Sequence, residues 1–188
     1  MPKIAIFASG SGTNAENLIR SFAQTDISII GVFTNNANAG VVERARNLNV
    51  PVTVFGKQEF YDTHYIYDIL QKESVEYIVL AGFLWFIPQI LTDTYKDRII
   101  NIHPSLLPKY GGRGMFGIHV HEAVIANGEK ESGITIHLVN EVFDSGKTLF
   151  QTTCPVLPTD KPEDLAARVH ALEYKYFPQV VEQYIYAK

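Results

Sequence analysis

The 188-residue sequence predicts an α/β fold: a doubly wound, mostly parallel sheet with antiparallel edge strands added in the C-terminal part. Three observations carry this expectation. Up to residue 103, short apolar runs of strand length alternate with longer amphipathic stretches, the pattern of successive βαβ units. The first apolar run ends in a glycine-rich turn, Ser9-Gly10-Ser11-Gly12, that opens directly into a helical pattern. Past residue 103 two stretches of alternating residues appear, which suit antiparallel strands at a sheet edge.

The elements follow in order. Lys3–Ala8 reads as a buried strand, and Thr13 with Glu16 reads as a capping box opening a helix whose apolar stripe is Leu18, Ile19, Phe22 and Ala23. Ile27–Thr34 is the second strand, and a helix with Val41, Val42, Ala45 and Leu48 inward spans about Gly40–Leu48. Val52–Phe55 is a third strand and Phe60–Gln71 a third helix. Tyr77–Ala81 is a continuous apolar strand, Pro88 starts a short helix, and Ile99–His103 is the fifth strand. A Pro- and Gly-rich loop, Pro104–Gly114, leads to a helix near His119–Asn127. Gly133–Val139 and Thr148–Pro155 are the alternating stretches. Asp160 with Glu163 caps a last helix carrying Leu165, Val169, Leu172 and Tyr176, which Pro178 is expected to kink or end. No linker or repeat interrupts this run, so one domain is expected over 1–188.

Composition narrows the function. The chain is 46% hydrophobic and 19% charged with a net charge of -4, which gives no global pull toward nucleic acid or anionic membrane. Any bound phosphate is therefore held locally. Cys154 is the single cysteine, so an intrachain disulfide and cysteine metal clusters are ruled out. No apolar run approaches the ~20 residues of a membrane helix. The N-terminus enters a strand without signal-peptide architecture, and a cytoplasmic protein is expected.

In a doubly wound sheet ligands sit at the carboxyl ends of the strands, which selects the loops after residues 8, 34, 81 and 103. The first is the glycine-rich turn, whose backbone N–H groups and following helix start suit an anion. A dinucleotide would want an acid at the end of the second strand, yet Thr34-Asn35-Asn36 stands there, and no Gly-Lys-Ser/Thr follows the turn. A single phosphate fits better than NAD or ATP, and a tight turn that binds nothing is the plain alternative. At the end of the fifth strand, Asn101 and His103 lie two residues apart and so share one face. An amide beside an imidazole suits an oxyanion as a carbonyl carbon turns tetrahedral. A strand-end histidine satisfied by backbone explains the same pair equally well. Asp144 in Asp144-Ser145-Gly146 is ordinary turn chemistry. Near His103 it would raise the imidazole pKa and keep it charged near neutral pH. Phe83–Ile87, after Ala81-Gly82, reads as core that can also wall a slot for a flat heterocycle, the two not being exclusive. His119, His121 and His137 lack the cysteine or carboxylate cluster of a metal site and read better as an edge of the active-site loop or a helix start, and His64 and His170 read as surface or packing residues.

The segments 4–14, 79–83, 100–110, 133–137 and 144–146 together resemble the phosphoribosylglycinamide formyltransferase family over almost the whole chain. The most specific is Asn101-Ile-His-Pro-Ser-Leu-Leu-Pro108, shared across the wider folate-dependent formyltransferase superfamily. The resemblance implies formyl transfer from 10-formyltetrahydrofolate, as co-substrate, to the amine of phosphoribosyl glycinamide in purine biosynthesis. It implies no metal and no nucleotide cofactor, small-molecule partners with neither nucleic acid nor membrane, and a monomer or homodimer. Asn101, His103 and Asp144 would form the catalytic centre. Gly12, Thr13, Asn14 and Glu173 would hold the phosphoribosyl substrate. Leu84, Trp85, Phe86 and Ile87, with Asn101 and the loop Val139, Asn140, Glu141, Val142, Phe143 and Asp144, would line the folate pocket, largely through backbone atoms. Residues 1–103 would be the phosphoribosyl-binding half and 104–188 the folate-binding and C-terminal part. The chain departs from the family in three places. Leu84-Trp85-Phe86-Ile87 stands where Met-Arg-Ile-Leu is common, the segment near Tyr61–His64 is shortened, and the loop Gly111–Gly117 is longer and richer in glycine.

Overall fold

A computed structural model describes residues 1–187. Its seven-stranded sheet has the order β3-β2-β1-β4-β5-β6-β7, built from β1 (Lys3–Phe7), β2 (Ser28–Thr34), β3 (Val52–Val54), β4 (Tyr77–Leu80), β5 (Ile99–His103), β6 (Glu131–Leu138) and β7 (Thr148–Pro155). The first five strands run parallel, while β6 pairs antiparallel with β5 and β7 with β6. The chain reverses its direction of winding between β1 and β4, so the switch in strand order lies where their following loops diverge.

Strand alternation divides the core into two layers. Ile4, Ile6, Val79, Ile100, Ile102, Ile134 and Ile136 face α1 (Thr13–Phe22), α2 (Gly40–Asn47), α5 (Ile118–Ala126) and α6 (Pro162–Tyr186). Ala5, Phe7, Ile78, Leu80 and Ile99 face α3 (Tyr65–Lys72) and α4 (Gln89–Thr94) with a block of phenylalanines. Asn101 and His103 share the face of Ile99, because residues two apart on a strand point the same way. Their side chains thus stand on the second layer's side, at the strand's carboxyl end.

Four local expectations are corrected. Gly12, in the left-handed region at φ 79, caps α1. Thr13 is therefore already inside the helix, and Glu16 binds Arg20 and Arg44 instead of closing a capping box. The helix expected over Phe60–Gln71 is split: a single π turn at Gln58–Asp62 ends at Thr63, which is extended, and α3 begins at Tyr65. Thr63 Oγ1 accepts from the Tyr65 N–H, the side-chain competition that makes threonine a breaker here. At α6 the cap is Asp164, which accepts from the Lys161 N–H, whereas Asp160 is spent on Arg168 and the Leu157 N–H.

Pro178 does not end α6, which runs 25 residues to Tyr186. A proline removes the N–H that would serve the carbonyl four residues back. That carbonyl, of Tyr174, receives Asn17 Nδ2 from α1 at 2.9 Å, so the lost bond is replaced from a neighbouring helix. Asn17→Ala is expected to lower unfolding stability by about 1 kcal/mol. Urea denaturation reads this directly, and an unchanged midpoint would mean that water serves the carbonyl equally well.

Candidate active site

A cleft of about 1000 Å³ opens at the carboxyl ends of β1, β4 and β5. It is lined by the loops after these strands and by α1, α5 and α6, so both halves of the chain contribute to it. Of the four loops that the strand-end rule selects, the one after Thr34 stays outside.

The glycine-rich turn is fixed from two sides. Val41 of α2 packs where a Cβ on Gly12 would go, and the positive φ independently demands glycine. Arg44 donates from Nε to the Ser11 carbonyl at 2.9 Å, and the Val41 N–H donates to Gly10. Both bonds occupy carbonyls. The N–H groups of Gly12, Thr13 and Asn14 find no acceptor among the described residues and lie at a helix start, where partial positive charge gathers. Asn14 donates from Nδ2 to Glu173 Oε2 at 2.8 Å, while its Oδ1 is buried without a partner. Glu173 is itself buried, and desolvation pushes its carboxyl pKa up against the opposing influence of Asn14 and His170. The four residues expected to hold the phosphoribosyl group thus meet at one end of the cleft.

The register of β5 on β6 builds the second cluster. Asn101 pairs with His137 and His103 with Thr135, and directly opposed side chains on one face are in contact range. Asn101 Nδ2 lies 3.0 Å from His137 Nε2, and His137 Nδ1 donates to the Leu138 carbonyl at 2.9 Å. Asp144, held at φ 51, turns its carboxylate back over this pair. Its Oδ2 is 3.6 Å from His103 Nδ1, and its Oδ1 is 3.7 Å from His137 Nε2. Oδ2 also accepts from the Gly112 N–H at 2.8 Å, which ties the carboxylate to the long glycine loop. His103 donates from Nε2 to the Tyr110 carbonyl at 2.7 Å.

The charge state of His103 differs from expectation. Burial, with a smaller contribution from His137, lowers its pKa below the usual 6.5, and the carboxylate of Asp144 and the Tyr110 carbonyl do not reverse that direction. The proximity of Asp144 is as anticipated, but the imidazole rests neutral near pH 7 because desolvation of a cation at 4% exposure outweighs one carboxylate. Asp144 is itself held below the ordinary aspartate value, since the hydrogen bonds and charges of His137, His103 and Gly112 together outweigh its burial.

The aromatic segment is both core and wall. Phe83 packs edge-on to Phe7 at 5.4 Å, and Trp85 lies 6.1 Å from Phe55 and 5.9 Å from Phe60 and from Tyr61. Leu84 and Phe86 stay exposed at the cleft, with Phe86 5.0 Å from Phe143 across the opening. Part of the backbone is already committed: the Leu84 N–H donates to Ser9 Oγ, and the Phe86 carbonyl accepts from Tyr61. Ile87 turns into the second core layer, and Val139 packs against that layer. Asn140 accepts from the Val142 N–H and Ser145 Oγ, organising its own loop, and Glu141 and Val142 are exposed. Only Phe143 and Asp144 of that loop reach the cleft.

Several residues of the site lie outside the expected set. His137 stands behind the cleft against Asn101, a contact that the sequence does not suggest because only the antiparallel register makes it. His170 looked like a surface residue, yet one helical turn before Glu173 it lines the cleft with its Nε2 3.9 Å from Glu173 Oε2. The spacing of three on one helix was the available signal. Lys57, Tyr61, Arg113 and His121 add to the charged and titratable lining. His119 points away and meets Glu122. Among the described residues no group of three or more His, Cys, Asp or Glu side chains is arranged to hold a metal ion.

A profile described as formyl transferase matches residues 2–181. The chain belongs to the formyl transferase family. Within it, several similar proteins are named phosphoribosylglycinamide formyltransferase. The chloroplastic phosphoribosylglycinamide formyltransferase of Arabidopsis thaliana is 39% identical over 95% of this chain and 64% of its own length. This chain therefore spans less than two thirds of that relative. The phosphoribosylglycinamide formyltransferase of Haemophilus influenzae is 36% identical, covering 97% of this chain and 86% of its own. The crystal structure of the Anaplasma phagocytophilum enzyme of that name superposes with a TM-score of 0.87 at 32% identity, over 96% of this chain and 85% of the other.

Proposed function

We propose that this chain transfers the formyl group of 10-formyltetrahydrofolate to the amine of 5-phosphoribosyl glycinamide, giving the formylated ribonucleotide of purine biosynthesis. One observation carries the reading: a single cleft holds unpaired N–H groups at Gly12–Asn14 at one end and the Asn101, His103 and Asp144 cluster at its centre. The first suits a phosphate and the second a carbonyl in the act of becoming tetrahedral.

The chemistry follows from the geometry. The amine nitrogen bonds to the formyl carbon, and negative charge builds on the formyl oxygen, to which the Asn101 amide can donate. The bond from that carbon to N10 of the folate then breaks. One proton leaves the amine and one arrives at N10, so a base that takes the proton and returns it balances the reaction. His103 suits that part because it rests neutral. Its Nε2–H is committed to Tyr110, which leaves Nδ1 to gain and release the proton. Asp144, 3.6 Å away, stabilises the transient imidazolium. No step calls for a metal or a nucleotide cofactor. Gly12, Thr13, Asn14 and Glu173 hold the phosphoribosyl group. The pterin lies against Leu84, Trp85 and Phe86, with Phe143 across the opening, while Ile87 and Val139–Val142 shape that end from behind. The enzyme works in the cytoplasm as a monomer or homodimer, although the Arabidopsis relative is chloroplastic by name.

The test is loss of 10-formyltetrahydrofolate with and without phosphoribosyl glycinamide. Loss that requires the ribonucleotide and yields its formyl derivative is expected. Equal loss without it, with release of formate, would make the protein a hydrolase, and no loss would reduce it to a binding module.

Gly10 offers the clean probe of the phosphate cradle. A side chain there meets nothing within 4 Å and no positive φ opposes it, whereas Gly12→Val would collide with Val41 and unsettle α1. Gly10→Val is expected to raise KM for the ribonucleotide about tenfold to a hundredfold, the worth of a hydrogen bond to a charged group, with an unchanged melting temperature. An unaltered KM would remove the turn from the binding site.

A further inference from the structure

His121 is buried to 2% exposure in the wall of the cleft, yet neither ring nitrogen has a partner among the described residues. Its Nδ1 is fully enclosed, while Nε2 makes no hydrogen bond and is not enclosed, so it is the nitrogen open to the cleft. A buried polar side chain is ordinarily satisfied, and one that is not calls for a ligand or a reason. We infer that His121 is a substrate-binding residue whose Nε2 hydrogen-bonds the uncharged ribose–glycinamide segment of the ribonucleotide, between the phosphate cradle and the reacting amine.

This inference rests on the proposed function and specifies which part of the substrate the residue meets. Position selects the ribonucleotide over the folate. His121 sits on α5, which packs against α6, and α6 presents Ala166, His170 and Glu173 to the same end of the cleft. The titratable neighbours it senses are the imidazoles of His170 and His103, one at the phosphoribosyl end and one at the reaction centre. The aromatic wall at Phe83–Phe86 belongs to the opposite layer. Chemistry selects the middle of the substrate over its phosphate. Burial and the two neighbouring imidazoles push the His121 pKa down to about 4, so the ring is neutral wherever the enzyme works. A neutral imidazole offers one N–H and one lone pair, which matches hydroxyls and an amide and adds no charge for a phosphate. His119, two residues earlier, shares none of this: it is exposed and occupied by Glu122.

The test uses the full chain with three variants: His121→Ala, His121→Phe, which fills the volume without a hydrogen bond, and His121→Gln, whose amide reaches the Nε2 position. KM for each substrate and calorimetric affinity for phosphoribosyl glycinamide alone are measured. Ala and Phe are expected to raise KM for the ribonucleotide, and weaken its binding, about tenfold, the worth of one net hydrogen bond. KM for 10-formyltetrahydrofolate should stay within about twofold on the same scale. Gln should recover most of the loss. Wild-type affinity in His121→Phe would assign the residue to packing and overturn the inference, even if the alanine variant fails to fold. A parallel rise in both KM values would overturn it too. Absence of turnover in the wild-type protein would instead defeat the transferase reading, while the calorimetric comparison would still judge His121.

Discussion

His103→Ala is expected to lower kcat by about 10²–10⁴-fold, the usual contribution of a general acid–base group. KM for both substrates should change far less, because the phosphate cradle and the aromatic wall are built from other elements. Of the two imidazoles in the cluster, this ring is the one with a nitrogen lone pair free to take a proton: His137 faces Asn101 through Nε2 and is tied to Leu138 through Nδ1. Wild-type acidity should appear as an acid limb in kcat against pH. A group with a lowered pKa stays in its neutral, proton-accepting form until pH falls through that lowered value. The limb should therefore lie below 6.5 and vanish in the variant. Steady-state rates across pH 5–8, with circular dichroism to verify the fold, decide the matter. Turnover within a few-fold of wild type would move the proton transfer to another residue.

Asp144→Asn should cost about 10²–10³ in kcat, comparable to removing one group that stabilises charge in the transition state. The choice of asparagine matters. Position 144 sits at φ 51, which asparagine tolerates better than most residues, and its amide oxygen can still accept from the Gly112 N–H. The variant thus removes the charge and keeps the turn. Its sign in the pH profile is fixed: the carboxylate raises the pKa of His103 against burial, so its removal should shift the acid limb to lower pH. Loss of rate with an unmoved limb would mean that Asp144 orders the 139–146 loop without acting on the imidazole.

Some of this site was legible residue by residue. Asn101 and His103 could be paired from a spacing of two on a strand, and the glycine-rich turn from its place between strand and helix. The alternation of apolar runs gave the parallel sheet, and the change of pattern after residue 103 gave the antiparallel edge, both of which the structure bears out. The site residues come from five separated stretches, however, and spacing alone could not bring Asp144 to His103 or Glu173 to Asn14. Those pairings entered through family resemblance.

What the sequence determined by itself was therefore local: where strands and helices lie, which face of a strand carries polar chemistry, and which turn needs glycine. Periodicity and backbone sterics act within a few residues, so a linear reading captures them. The tertiary structure alone decided the rest. The β5–β6 register set His137 against Asn101, a bond from Asn17 let α6 continue past Pro178, and desolvation made His103 neutral despite its carboxylate neighbour. Register, replacement of a lost hydrogen bond and the dielectric around a buried ring all depend on residues far apart in the chain, which is why none of them could be read along it.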